Sequence, residues 1–174
     1  NAFQVNRVLV TTMQALSGAG YPGVASLDSL DNVIPYIKGE EEKMASEPRK
    51  LLGRLNATED AIEMAEIRVS AACNRVATRD GHLITVSLEL GQRAGIEEVI
   101  AAWTSFRSEP ARLGCPSAAD PVIVVRNEPD RPQTVLDRDA GAGMAVTIGR
   151  VRPCEVLDLK FVLLSHNTIR GAAG

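Results

Sequence analysis

The chain has 174 residues and a formal net charge of −3; 45% of its residues are hydrophobic but only 3% aromatic. That length suffices for one domain with a real core, which here must rest on Val, Ile, Leu and Ala. The slight negative charge excludes an electrostatic footprint for nucleic acid or an anionic membrane surface, and no apolar run approaches the roughly 20 residues that cross a bilayer. The three cysteines (Cys73, Cys115 and Cys154) lack metal-like or redox-like spacing. An odd count without an export signal predicts reduced thiols in the cytoplasm and no metal site.

In chain order, residues 7–13 read as a strand with Val8, Leu9 and Val10 as its buried run. Residues 16–23 hold Gly18, Gly20, Gly23 and Pro22 and read as a loop. Residues 26–30 suit one helical turn. Residues 40–55 predict a helix with apolar Met44, Leu51, Leu52 and Leu55, which Pro48 must kink or divide. A short helix through Ile62 and Met64 is expected in 56–67. Residues 67–77 and 81–90 alternate, placing Ile67, Val69, Ala71, Cys73, Arg75 and Ala77 on one face of the first run and His82, Ile84, Val86, Leu88 and Leu90 on one face of the second. Between them, 78–81 predicts a hairpin loop through Asp80-Gly81. Residues 95–106 carry a helical stripe of Ile96, Val99, Ile100, Trp103 and Phe106.

Residues 107–142 are proline-rich and weakly periodic, with a strand only at 122–125; so long an irregular stretch points to function or an interface. Strands follow at 144–151 and 156–164, joined by a turn at 153–155. Strands and helices do not alternate regularly. The expected class is therefore α+β, a mixed, largely antiparallel sheet with helices on one face.

Several residues carry chemistry. In the expected hairpin, Ala77 opposes His82 and Arg75 lies two residues back on the same face, so guanidinium and imidazole lie diagonal to each other. An arginine on a core-facing row needs an anion. That anion is either a substrate carboxylate gripped by the planar fork or an internal glutamate, and spacing alone favours the glutamate. His82 titrates near neutrality and suits proton transfer. His166, in Ser-His-Asn-Thr, reads as a polar residue ending a strand. Gln14 offers an amide where a buried strand breaks into a loop. Ser17-Gly18-Ala19-Gly20 lets backbone approach a ligand closely. Glu40-Glu41-Glu42-Lys43 opens a helix and complements its dipole, with Glu40 and Lys43 on one face. Cys73, mid-strand, reads as a small core residue rather than a nucleophile.

These strings come in a recognisable order: Gln14 before Ser-Gly-Ala-Gly-Tyr-Pro-Gly-Val (17–24), Asp-Asn-Val-Ile-Pro-Tyr-Ile (31–37), Gly-Glu-Glu-Glu-Lys (39–43), Arg75 with Asp80-Gly81-His82, Leu-Asp-Arg-Asp-Ala-Gly (136–141) and Ser-His-Asn-Thr-Ile-Arg-Gly-Ala-Ala-Gly (165–174). Together they resemble the C-terminal half of aspartate-semialdehyde dehydrogenase, in its archaeal and fungal-type branch. The resemblance implies a glyceraldehyde-3-phosphate dehydrogenase-like C-terminal domain that is catalytic and dimerising. It further implies reduction of aspartyl phosphate by NADPH to aspartate semialdehyde and phosphate, through a cysteine thioester.

By the same resemblance His82 is the general base and Gln14 orients the substrate. Arg75 binds its carboxylate, Glu40 its amino group, and Lys43 favours phosphate. Ser17, Gly18, Ala19, Gly20 and Asn167 meet NADP, with Asn167 at the carboxamide and Thr168 as a possible helix cap. The implied partners are a homodimer or homotetramer, and the implied pathway leads to lysine, threonine, methionine and isoleucine. The family's Asn-Cys-Ser/Thr nucleophile string and its dinucleotide glycine fingerprint are absent. With an opening Asn1, this predicts a piece lacking the N-terminal nucleotide domain, in which 166–174 begins a helix returning toward that domain. A malonyl-CoA reductase-like acyl-CoA reductase and a non-catalytic dimerisation module are the alternatives.

Overall fold

The computed structural model describes residues 3–173. The elements run β1 (Val5–Gln14), a tight turn (Leu16–Ala19), α1 (Ser26–Ser29), β2 (Val33–Ile34), α2 (Glu40–Leu51), β3 (Arg54–Leu55), β4 (Ile62–Glu63), β5 (Arg68–Val76) and β6 (His82–Leu90). They continue with α3 (Ile96–Ser105), α4 (Glu109–Arg112), β7 (Ile123–Arg126), α5 (Thr134–Asp137), β8 (Val146–Pro153), β9 (Leu159–Ser165) and a wide turn (Ile169–Ala173). Seven strands form one sheet in the order β2-β5-β1-β6-β9-β8-β7, while β3 and β4 pair apart from it. Among the described residues, only β1–β5 and β7–β8 are parallel. The α+β class and its largely antiparallel sheet are as expected.

Alternation decides the two faces. Val10, Val86, Ile148, Leu159 and Phe161 form the buried centre of one, and α2 and α3 lie on it through Met44, Val99 and Trp103. Trp103 meets Phe161 edge-on, ring centroids 5.0 Å apart, which concentrates aromatic packing in a chain with few aromatics. On the other face, Leu9, Thr11, Ser70, Ala72 and Thr85 of the three central strands are exposed. Farther along that face the chain folds back, and Arg131 and Pro132 press on Gly149.

Three expectations need correction. The 78–81 segment is not a hairpin loop. β1 lies between β5 and β6, pairing with each, so Ala77 does not oppose His82. The turn residues instead continue the parallel ladder, with Leu16 and Ser17 N–H donating to the carbonyls of Thr78 and Arg79. The expected helix in 56–67 is the β3–β4 hairpin. Asn56 nucleates it by taking Asp60 and Ala61 N–H on its side chain, a local competitor to helix of the kind asparagine offers. Finally, α2 neither kinks into two helices nor reaches residue 55: it runs through Pro48 and stops at Leu51. Pro48 lies so near the end that little of the helical ladder is lost.

The 107–142 stretch is ordered by a buried anion. Asp137 is 2% exposed and takes a two-point fork from Arg131, Nε at 2.7 Å, together with Gln133 N–H at 2.7 Å. Arg126 Nε stands 3.3 Å away. The Arg131 hydrogen bond holds the Asp137 carboxyl below the usual range. Such pairing is what permits a buried carboxylate.

Candidate active site

Three strand ends converge at one sheet margin. Gln14 closes β1, Arg75 stands next to the end of β5, and His82 opens β6. Gln14 pairs in register with Arg75, and Met13 with Leu83. Arg75, Gln14 and His82 therefore form one row, with Gln14 in the middle, on the face that carries α2. The expected nearness of Arg75 and His82 holds, but through an intervening strand rather than a hairpin.

Helix α2 delivers the acid. Glu40, its first residue, accepts from Gln14 Nε2 at 3.2 Å and from Lys43 Nζ at 3.0 Å. The Lys43 hydrogen bond holds the Glu40 carboxyl below its ordinary value, with Gln14 and the Arg75 charge helping against burial. Glu40 is thus an anion at neutral pH. Its neighbour Glu41 turns the other way and accepts Cys73 N–H at 3.1 Å, tying α2 to the margin of β5 that the short β2 leaves uncovered.

The main chain of Ala15 fixes both the guanidinium and the imidazole. Its carbonyl accepts Arg75 Nη1 at 2.7 Å, and its N–H donates to His82 Nδ1 at 3.2 Å. Arg75 is 7% exposed, and that carbonyl is its one hydrogen-bond partner among the described residues. Burial pulls its pKa down, against the opposing pull of Glu40. His82 is lowered to about 4, by burial first and by the Arg75 charge second, so its ring is neutral at pH 7. With Nδ1 accepting, the neutral ring carries its hydrogen on Nε2.

Ser17, Gly18, Ala19 and Gly20 form the tight turn above this row. Asn167 clamps it: its Oδ1 accepts Gly81 N–H at 2.8 Å and its Nδ2 donates to Ser17 Oγ at 2.9 Å. Gly20 and Gly23 adopt positive φ, and Gly20 faces open space, so the turn offers an accessible surface. Thr168 is not the cap of the last turn. His166, 6% exposed, takes Ile169 N–H on Nδ1, with the Thr168 hydroxyl beside it. Cys73 is buried, and burial pushes its thiol up, the opposite of what a nucleophile needs.

Sequence reasoning missed Ala15, whose contribution is wholly main-chain and leaves no side-chain signal. It also gave no role to Arg138, which donates to the Asp80 carbonyl at 3.3 Å and so supports the turn before His82. The ordered Leu-Asp-Arg-Asp string was the available signal for both Arg138 and the Asp137 anchor.

The semialdehyde dehydrogenase dimerisation-domain model matches residues 1–170. The chain belongs to that family. Aspartate-semialdehyde dehydrogenase of Archaeoglobus fulgidus is 53% identical to the domain over 167 residues, 96% of this chain and 47% of the relative. That of Aspergillus fumigatus is 52% identical over 176 residues, 98% of this chain and 48% of the relative. The Candida albicans enzyme solved with NADP superposes with a TM-score of 0.88 at 44% identity, covering 98% of this chain and 48% of that one. The domain spans about half the length of the curated relatives it matches. The resemblance read from ordered motifs is thus borne out across the chain, branch included.

Proposed function

We propose that the domain forms the catalytic and dimerising half of an NADP-dependent aspartate-semialdehyde dehydrogenase, which converts aspartyl phosphate to aspartate semialdehyde and phosphate. The observation that carries this reading is the arrangement of charge around Gln14. A buried guanidinium, whose side-chain hydrogen-bond partner among the described residues is the Ala15 carbonyl, lies on the sheet, and a carboxylate suited to an ammonium comes from α2. Together they match the head group of an α-amino acid. A malonyl group has no ammonium for Glu40, so Glu40 disfavours the acyl-CoA reductase alternative. A non-catalytic module has no use for a buried arginine that has no salt-bridge carboxylate among the described residues.

In this reading Arg75 grips the substrate carboxylate bidentately and Glu40 its amino group. The Gln14 amide, already bonded to Glu40, orients the reacting carbon. Lys43, at the exposed rim, favours phosphate. A cysteine of the nucleotide-binding half supplies the nucleophile and carries the acyl group as a thioester. His82 moves the proton. As the ring stands, its Nε2–H is set to donate to oxygen; taking the thiol proton requires it to release Ala15 N–H and carry hydrogen on Nδ1. NADPH supplies hydride when bound; the open turn of Ser17, Gly18, Ala19 and Gly20, with the Asn167 amide, would hold its nicotinamide end. Water is excluded by the row's burial beneath α2.

A second copy covers the exposed face of β1, β5 and β6, giving a homodimer or a pair of dimers. The enzyme works in the cytoplasm, in synthesis of the aspartate-derived amino acids. The test is NADP reduction by the complete protein with aspartate semialdehyde plus phosphate, set against a malonyl-CoA assay. Turnover with the CoA thioester alone would refute the proposal.

A further inference from the structure

Arg138 stands outside the row of Arg75, Gln14 and His82, yet its side chain reaches the turn from which His82 springs. Its own place is fixed from behind. It closes α5 in helical geometry and follows Asp137, whose fully buried side chain is held by Arg131 and the Gln133 N–H. The Arg138 side chain is itself only 14% exposed. Its Nη1 donates to the Asp80 carbonyl at 3.3 Å, and its Nε lies 3.9 Å from Asp139 Oδ2. The N–H of that same peptide belongs to Gly81 and donates to Asn167 Oδ1 at 2.8 Å. Side chains from two distant segments therefore hold one peptide at both its poles.

Gly81 supplies a second contact. Its φ is +94°, and a Cβ there would stand 3.2 Å from Arg138 Cβ and 3.3 Å from Leu164 Cδ1. Leu164 is buried, so the turn is wedged between the arginine stem and a core leucine. The next residue is His82, first of β6, whose Nδ1 accepts from Ala15 N–H at 3.2 Å. A ring on the first residue of a strand goes where the preceding turn sends it.

We propose that Arg138 is a positioning residue for His82: by clamping the Asp80–Gly81 peptide against Asn167 and Leu164, it sets where the imidazole stands. The irregular 107–142 stretch thereby acquires a task, since its buried Asp137 anchors the arginine that reaches toward the site. The kinetic part of this inference rests on the proposed role of His82 in proton transfer; the placement of the ring does not.

The test is Arg138→Met in the complete protein, which keeps a stem and loses the donor. Turnover of aspartate semialdehyde should fall about tenfold or more in kcat, the effect of a proton carrier displaced by a fraction of an ångström to an ångström. KM should stay within about twofold, because Arg75 and Glu40 lie on other elements. Nitrogen NMR of the imidazole, assigned by comparison with His82→Gln, reads the ring itself. The influences on the His82 ring are burial, Arg75 and Glu40. The Arg138 charge is not among them, so an altered titration reports placement. Between about pH 5 and 8 the wild-type ring should stay neutral, whereas the variant ring should begin to take up a proton as water reaches it. A merely structural arginine would lower the melting temperature alone. That result, a near-normal kcat, an unaltered ring titration or a larger rise in KM would overturn the proposal. If the wild type turns over no semialdehyde, the reaction assignment fails and the NMR titration alone decides the role of Arg138. If Arg138→Met does not fold, Arg138→Lys takes its place. A lysine point charge cannot serve both the Asp139 carboxylate and the Asp80 carbonyl, so the same changes should appear, with kcat down about threefold or more. Wild-type behaviour of Arg138→Lys, or loss of the fold in both variants, overturns the inference.

Discussion

Arg75 and His82 both bond the main chain of Ala15 but answer to different physics. Arg75 keeps its charge despite burial because a guanidinium titrates far above neutral pH and Glu40 partly balances it. His82 surrenders its charge because burial and Arg75 act in the same direction. Arg75→Lys should raise KM for aspartate semialdehyde far more than it lowers kcat, because a point charge replaces a planar fork; steady-state kinetics on the complete protein checks this. His82→Ala should lower kcat by about a hundredfold or more, the usual worth of a positioned proton carrier, with an unchanged circular dichroism spectrum. Near-normal turnover would remove His82 from proton transfer. The pH dependence has a definite sign. The folded value of about 4 lies below the ordinary 6.5, so the unfolded chain takes up this proton first as pH falls. His82 therefore contributes stability that is complete above about pH 6.5 and lost as pH drops toward 4. Acid unfolding of wild type and His82→Gln should diverge in that window and run in parallel above it.

The strands were legible as elements because their alternation is clean: β1, β5, β6 and α3 lie within a few residues of their expected bounds. The pairing of β5 with β6 was not, because a strong turn dipeptide between two alternating runs signals a hairpin, and no local feature announces that a strand from 60 residues earlier separates them. The β3–β4 hairpin was hidden for a related reason. Its strands are two residues each and pack on nothing buried, so periodicity had nothing to register. The same holds for Glu41. The sequence shows a first turn full of acids, and only the fold reveals that Glu40 faces the site while Glu41 secures the strand edge. Glu41→Ala should free the Cys73 amide. Hydrogen exchange there should quicken roughly fivefold, the value of one hydrogen bond of about 1 kcal/mol, while exchange in β9 stays unchanged.

At the scale of the molecule, one sheet separates two surfaces with different fates. The helical side is filled, and the opposite side of β1, β5 and β6 exposes Leu9 beside Thr11, Ser70, Ala72 and Thr85. Ala72→Glu, in the middle of that surface, should convert the sedimenting species from dimer to monomer; an unchanged sedimentation coefficient would place the contact elsewhere. The ordered motifs gave the family and the candidate row by kinship, whereas the geometry that joins that row is a property of the assembled sheet and could not be read one segment at a time.

The insertion of β1 between β5 and β6 also bears on how the protein reaches its native state. The two later strands follow each other closely, with matching alternation and an inviting Asp80-Gly81 turn, so nothing local prevents them from zipping directly to each other. That pairing is fast and short-range, whereas the native one waits for a partner far back in the chain. Folding must therefore avoid or reopen a ladder that shuts Gln14 out, and until β1 is threaded into place Arg75 and His82 have no Ala15 main chain to hold them.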